Sequence, residues 1–240
     1  TMCTLQIFLQ LFKSLHSKIR RLQGFFTFEL FQQYEFCLAL YEVTMKRSLD
    51  ICISLAILVF FLPFGLILAL FISLESRGGV FYFQERVGIH GKGFRLIKFR
   101  SMRSNADKGS QITIGNRDPR ITKSGYLIRR LKLDEFPQFI NVLKGDMSIV
   151  GPRPEVPFYV AMYTEEQRKI LSVKPGITDY ASIAYFHENE LLAKAEDPQK
   201  TYIEEIMPAK IALNERYIAH PGILQDLKIM ALTAKKIIGF

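Results

Sequence analysis

The chain contains no tryptophan and only three cysteines in 240 residues. Cys3, Cys37 and Cys52 lie far apart and none belongs to a CxxC pair, so neither a zinc site nor a disulfide framework is indicated. Their odd number, with Cys52 inside an apolar run, fits a reducing, cytosol-facing location. Without tryptophan, an aromatic belt at a membrane surface falls to tyrosine and phenylalanine. Internal repeats and low-complexity tracts are also missing. Acidic residues are the minority, 23 against 32 lysines and arginines, giving a formal net charge of +9. That sign suits a polyanionic partner: nucleic acid, an anionic leaflet or phosphorylated substrates. The cations gather near an apolar segment and form no recognisable DNA-binding motif, which argues against nucleic acid.

The mean hydropathy of +0.12 is high for a chain with 23% charged residues, so the apolar excess is concentrated somewhere. It lies in residues 51–74, which hold no charged side chain. Such a run is long enough to cross a bilayer core as a helix. A buried soluble helix rarely lacks a polar face for so long. The run starts too late for a signal peptide, and no cleavage pattern follows it. Pro63 at its middle, with Gly65 close behind, predicts a break in the helix. Lys46 and Arg47 precede the run, and Arg77, Arg86, Arg95 and Lys98 follow it. Positive residues favour the cytoplasmic side. With both flanks there, the segment enters and leaves by one face, in two arms of about 12 residues or about 18 Å each. Residues 45–76 are therefore expected to form a re-entrant membrane helix-break-helix.

Residues 1–44 are rich in Phe and Leu and carry Lys18, Arg20 and Arg21. They read as an amphipathic extension, lying on a membrane surface or packed on the core or a partner subunit. Residues 77–240 read as a compact α/β, mostly helical domain. Strands near 80–84 and 94–99 flank a turn-like stretch at 88–93, which predicts a β-hairpin. Apolar spacing predicts helix over 125–143, with Pro137 ending or kinking it, and over 165–171 and 198–217. Residues 224–238 form a basic amphipathic helix that either lies on the membrane or closes the domain.

Four motifs could carry chemistry. Asp134 and Glu135 are adjacent carboxylates in a helical apolar pattern, with Arg129 and Arg130 about one turn back. Asp134 and Arg130 are spaced to share a helix face and form an ordinary salt bridge. The same pair could instead supply a carboxylate nucleophile toward phosphorus and a metal-binding carboxylate. Gly151-Pro152-Arg153-Pro154 is a rigid turn that presents Arg153, a side chain suited to phosphate oxygens. Arg86, Lys98, Arg100 and Arg103 concentrate positive charge after the apolar run, for lipid headgroups or for substrate phosphate. Lys174-Pro175-Gly176-Ile177-Thr178-Asp179 marks a turn, to which composition gives no role.

Together these motifs resemble the bacterial sugar transferase family, the monotopic polyprenyl-phosphate phosphoglycosyltransferases. The likeness covers residues 45–238. It rests on Lys46-Arg47-x-x-Asp50, the proline-broken apolar run, Lys98-Phe99-Arg100-Ser101-Met102 and Leu133-Asp134-Glu135-Phe136-Pro137-Gln138. It continues through Asn141-Val142-Leu143-Lys144-Gly145-Asp146-Met147-Ser148, Val150-Gly151-Pro152-Arg153-Pro154, Pro175-Gly176-Ile177-Thr178 and Asp226-Leu227-Lys228.

The resemblance implies transfer of a phospho-sugar from a UDP-sugar to polyprenyl (undecaprenyl) phosphate at the cytoplasmic face of the bacterial inner membrane. UMP is released and assembly of a glycan begins. It implies Asp134 as nucleophile, Glu135 completing a dyad and helping to hold Mg²⁺, and Arg129 and Arg153 as phosphate ligands. Lys98 and Arg86 are further candidates for substrate phosphate. Membrane lipids are implied partners, and a homodimer is left open. A membrane-anchored, non-catalytic nucleotide- or partner-binding protein is the alternative. The chain departs from the family pattern at Leu62, where serine often precedes the proline, and at Asp179-Tyr180-Ala181, where Gly-Trp-Ala is common. The first 44 residues have no counterpart in the minimal members.

Overall fold

The computed structural model describes residues 26–75, 77–103 and 118–239. The expectation for residues 1–25 lies outside the described residues. The chain divides into two units at Lys46–Arg47. Helix α1, Phe26–Glu75, runs through the boundary and stays helical across Pro63, where the sequence predicts a break. Its stretch Val43–Glu75 is long and apolar enough to cross a membrane. Large side chains along it stand outside the core: Val59 is 65% exposed, Phe60 77% and Leu74 75%. An apolar surface of that extent marks a membrane-associated protein.

The rest is mostly helical, with two small two-stranded sheets. Strands β1 (Phe81–Val87) and β2 (Gly93–Phe99) pair antiparallel, from Phe81 opposite Phe99 to Val87 opposite Gly93. This is the expected hairpin. His90 and Gly91 take positive φ in its turn. Strands β3 (Ser148–Val150) and β4 (Gly176–Thr178) pair in parallel. Around them lie α2 (Lys123–Arg130), α3 (Gln138–Lys144), α4 (Pro157–Val160), α5 (Tyr180–Ala184), α6 (Glu188–Leu192), α7 (Pro198–Thr201), α8 (Met207–Ala219) and α9 (Ile223–Ile238).

Two helical expectations change on inspection. Residues 125–143 are not one helix. The chain leaves α2 after Arg130, Lys132 adopts a left-handed conformation (φ 56°), and a 3₁₀ turn follows at Leu133–Glu135. Pro137 therefore precedes α3 instead of ending a longer helix. A non-glycine residue at positive φ is uncommon and changes the direction of the chain. Arg130 and Asp134 thus do not share a helix face; Arg130 is exposed and Asp134 is buried. The segment near 165–171 is a 3₁₀ turn, Gln167–Ser172. Residues 198–217 are helical as expected, with a π turn at Tyr202–Ile206 joining α7 to α8.

Three apolar clusters hold the domain. One gathers Tyr159, Val160, Leu192, Tyr202, Ile206 and Ile211. A second joins Leu96, Val142, Met147, Val150, Tyr217 and Ile229, with Ile53 of α1 against it. A third joins Ile72 of α1 to Phe99 and Ile128, with Phe61 and Phe136 alongside. The Phe61 and Phe136 rings stack with centroids 3.8 Å apart.

Polar contacts tie α1 to the same domain at both ends of the apolar run. Arg47 donates to the Val142 and Leu143 carbonyls at 2.6 and 2.9 Å, and so satisfies the C-terminal end of α3. The buried Asp50 carboxylate accepts from the Ile149 N–H at 3.1 Å. At the far end, Glu75 accepts from the Lys123 and Ser124 N–H groups at the start of α2, at 2.6 and 2.9 Å. Arg100 donates to the Arg77 carbonyl at 3.1 Å and to that of Gly78.

Candidate active site

The hairpin is polar on the face it turns inward. Tyr82, Gln84 and Arg86 of β1 are half-buried, whereas Phe81, Phe83 and Glu85 are exposed. Lys98 pairs across the strands with Tyr82 and lies on the same face. This polar face borders a cavity of about 1190 Å³. Opposite it stands the turn Leu133–Glu135, so Asp134, Glu135, Lys98 and Arg129 line one space. Asn141 fixes the layers. Its side chain accepts from Ile97 N–H at 3.0 Å and donates to the Arg95 carbonyl at 2.8 Å, completing the edge of β2.

Arg153 is delivered by two glycines. A Cβ on Gly151 would meet the Lys174 carbonyl at 2.4 Å, and one on Gly176 would meet the Gly151 nitrogen at 2.2 Å. Only hydrogen at both positions lets the Gly151-Pro152-Arg153 turn lie on Pro175-Gly176. Gly176 N–H donates to the Pro152 carbonyl at 2.9 Å, and Gly151 N–H to that of Thr178 at 3.1 Å. The fully buried Asp179 then accepts from the Arg153 N–H at 3.0 Å and from Ser182 N–H, capping α5. The turn that had no role in the sequence is thus the bed of the arginine loop.

The two neighbouring carboxylates differ in their partners. Glu135 is gripped by the Arg153 guanidinium, with Nη1 donating to Oε2 at 3.3 Å and Nη2 paired with Oε1. Asp134 is 8% exposed and its carboxylate makes no hydrogen bond or ion pair among the described residues. Burial disfavours ionisation of Glu135, but Arg153 and Lys98 outweigh it and hold the carboxyl at about 2. Burial and the neighbouring Glu135 push Asp134 upward, against the pull of Lys98, Arg129 and Lys132. Burial, with Arg86 and Arg153 nearby, lowers Lys98 to about 7.

The other predicted residues divide in the same way. The Arg129 side chain is half-buried and makes no hydrogen bond or ion pair among the described residues. Arg86 is committed: it donates to Gln84, to the Pro154 carbonyl at 2.8 Å and to Glu155 at 3.3 Å. It holds the end of the arginine loop. Pro63 does not line the cavity, although Ile53 and Ile57 of the same helix do. Sequence reasoning missed Asp179 and Asn141 as supports. The spacing of Asp179 from Ser182, which suits a helix N-cap, was the available signal for the first.

This constellation defines a family, and comparison with known proteins identifies it. The bacterial sugar transferase family matches residues 41–239, and the chain belongs to it. A putative undecaprenyl-phosphate N-acetylgalactosaminyl 1-phosphate transferase of Bacillus subtilis (strain 168) is 44% identical over 52% of the chain and 69% of its own length. The uncharacterized sugar transferase EpsL of the same organism is 37% identical over 81% of the chain and 87% of its own. The UDP-glucose:undecaprenyl-phosphate glucose-1-phosphate transferase of Escherichia coli (strain K12) is 34% identical over 94% of the chain, which spans 46% of that protein.

Proposed function

We propose that this protein is a phosphoglycosyltransferase that moves a phospho-sugar from a UDP-sugar to polyprenyl phosphate, the first membrane step of a glycan. The observation that carries this reading is the unpaired, buried Asp134 beside the clamped Glu135, in a cavity that also reaches the apolar helix α1. An Asp134 oxygen attacks the sugar-bearing phosphorus, and the bond from that phosphorus to the bridging oxygen breaks. UMP leaves with that oxygen, and the phospho-sugar remains on Asp134 as an acyl phosphate. An oxygen of polyprenyl phosphate then attacks the same phosphorus. The aspartyl oxygen–phosphorus bond breaks, and Asp134 returns as a carboxylate. Arg129 and Lys98 face the phosphates, and the Arg153–Glu135 pair fixes the dyad.

Magnesium fits the donor set. Asp134 and Glu135 are hard oxygen ligands, and the described residues hold no cluster of three or more His, Cys, Asp or Glu. Mg²⁺ is commonly held by one or two carboxylates together with substrate phosphates and water. Bound there by Asp134 and Glu135, it would offset the charge of the diphosphate.

A re-entrant topology with the catalytic domain in the cytoplasm is supported by the anchoring of α1. An ordinary span carries one end away from a cytoplasmic domain by about 30 Å of hydrocarbon. Here Arg47 and Asp50 before the run, and Glu75 after it, all bind the same domain. Tags at residues 45 and 80 should both be reached by reagent from the cytoplasm of the bacterial inner membrane; opposite accessibility would restore a simple span. For the chemistry, the test is capture of a labelled phospho-sugar on the unmutated protein, with UMP released in equal amount. Asp134→Asn should abolish both, and retained turnover would remove Asp134 from the nucleophile's role.

A further inference from the structure

A second cavity, of about 150 Å³, adjoins the main one. Arg86, Arg153, Glu188, Asn189 and Lys210 line both. The inner wall adds Glu155, Tyr163, Tyr202 and Asn214. A cavity of this size admits a six-membered ring.

The charges of this chamber are already paired. Arg86 faces Glu155 at 3.3 Å, Lys210 faces Glu188 at 2.8 Å, and Arg153 is bound to Glu135. The Tyr202 hydroxyl donates to Glu155, and Lys210 lies over the Tyr202 ring. A wall with no charge to spare has little to offer a phosphate. Its unused capacity is neutral. Asn214 is 5% exposed, yet no group among the described residues reaches its Oδ1. A buried amide left without a partner is costly, so a hydrogen-bonding group placed beside it is favoured. Neutral hydrogen-bonding groups set beside aromatic rings suit a carbohydrate.

Position completes the argument. In the proposed reaction the sugar hangs from the phosphorus that Asp134 attacks, and Arg153 lines both the main cavity and the chamber. We propose that the chamber receives the sugar ring, and that Asn214 and Asn189 read its hydroxyl or acetamido substituents. This assignment rests on the phosphoglycosyltransferase reading above.

The experiment measures UMP release from UDP-glucose, UDP-galactose, UDP-N-acetylglucosamine and UDP-N-acetylgalactosamine by the wild type, Asn214→Ala and Asn189→Ala. UDP serves as the competitive inhibitor that lacks a sugar. In each variant, kcat/KM for the preferred sugar should fall about tenfold or more. Its lead over the other three should shrink, while inhibition by UDP stays within about twofold. An equal loss for all four sugars, an unchanged preference, or an equal weakening of UDP inhibition would overturn the assignment. Thermal melting checks the fold, and if Asn214→Ala does not fold, the half-exposed Asn189 decides the matter alone. No UMP release from any of the four by the wild type would defeat the transferase reading itself, a result distinct from failure of the sugar chamber.

Discussion

The two adjoining cavities are built from similar residues but differ in how their charges are used. In the smaller one, Arg86 answers Glu155 and Lys210 answers Glu188. In the larger one, the side chains of Asp134, Arg129 and Lys98 make no ion pair or hydrogen bond among the described residues. Leaving buried charge unpaired works against folding, so the difference is the one expected if the larger cavity takes the substrate. Paired groups hold a shape; in the proposed reaction the unpaired ones meet the charge of the substrate. Arg153 belongs to both sets, because its backbone is held by Asp179 and its guanidinium holds Glu135.

The largest effect should come from removing the free carboxylate. Asp134→Asn is expected to lower UMP release by about 10⁴-fold or more, with little loss of melting temperature, since it breaks no pair. Equal damage to stability and activity would show that Asp134 is structural. Arg153→Ala comes next. It should cost about 10²–10³ in kcat and also destabilise the fold by about 3 kcal/mol, because it strands Glu135 inside the protein. Urea unfolding and turnover check the two losses separately. Arg86→Met should act mainly on stability, by about 1–3 kcal/mol, with a smaller effect on kcat, because its bonds go to Glu155 and the Pro154 carbonyl. A variant that loses substrate affinity without losing stability would move Arg86 into the reacting half.

The smallest predicted effect is a pH dependence at Lys98. Its folded value of about 7 lies below the ordinary lysine value of 10.5. The lysine is charged below about pH 7 and neutral above, so KM for the UDP-sugar should rise as pH passes through 7. Stability should move the other way. Between pH 7 and 10.5 the unfolded chain holds the extra proton, so the folded state gains stability as pH rises. Lys98→Arg should keep affinity flat across this range. A wild-type KM that does not vary with pH would take Lys98 out of phosphate binding.

Much of the site could be read along the chain because its signals are local. Asp134 and Glu135 are adjacent, Arg153 is fixed between prolines, and the hairpin strands flank a glycine-rich turn. The errors came where local spacing was extended too far. A salt bridge between Arg130 and Asp134 assumes that one helix continues through both, and the left-handed Lys132 ends that assumption. Arg86 looked available in the sequence because its partners, Pro154 and Glu155, are 68 and 69 residues away.

The sequence by itself determined that an uncharged apolar run of 24 residues is long enough to cross a membrane, since length and composition are properties of the chain alone. It also offered the carboxylates and arginines that are candidates for the site. Tertiary structure alone decided which of those charges are free. Pairing depends on distance in space: Glu135 found Arg153 and Arg86 found Glu155, while Asp134 was left without a partner. The same is true of the smaller chamber, whose walls come from Arg86, Glu155, Tyr202 and Asn214, residues that only the packing of distant elements brings together.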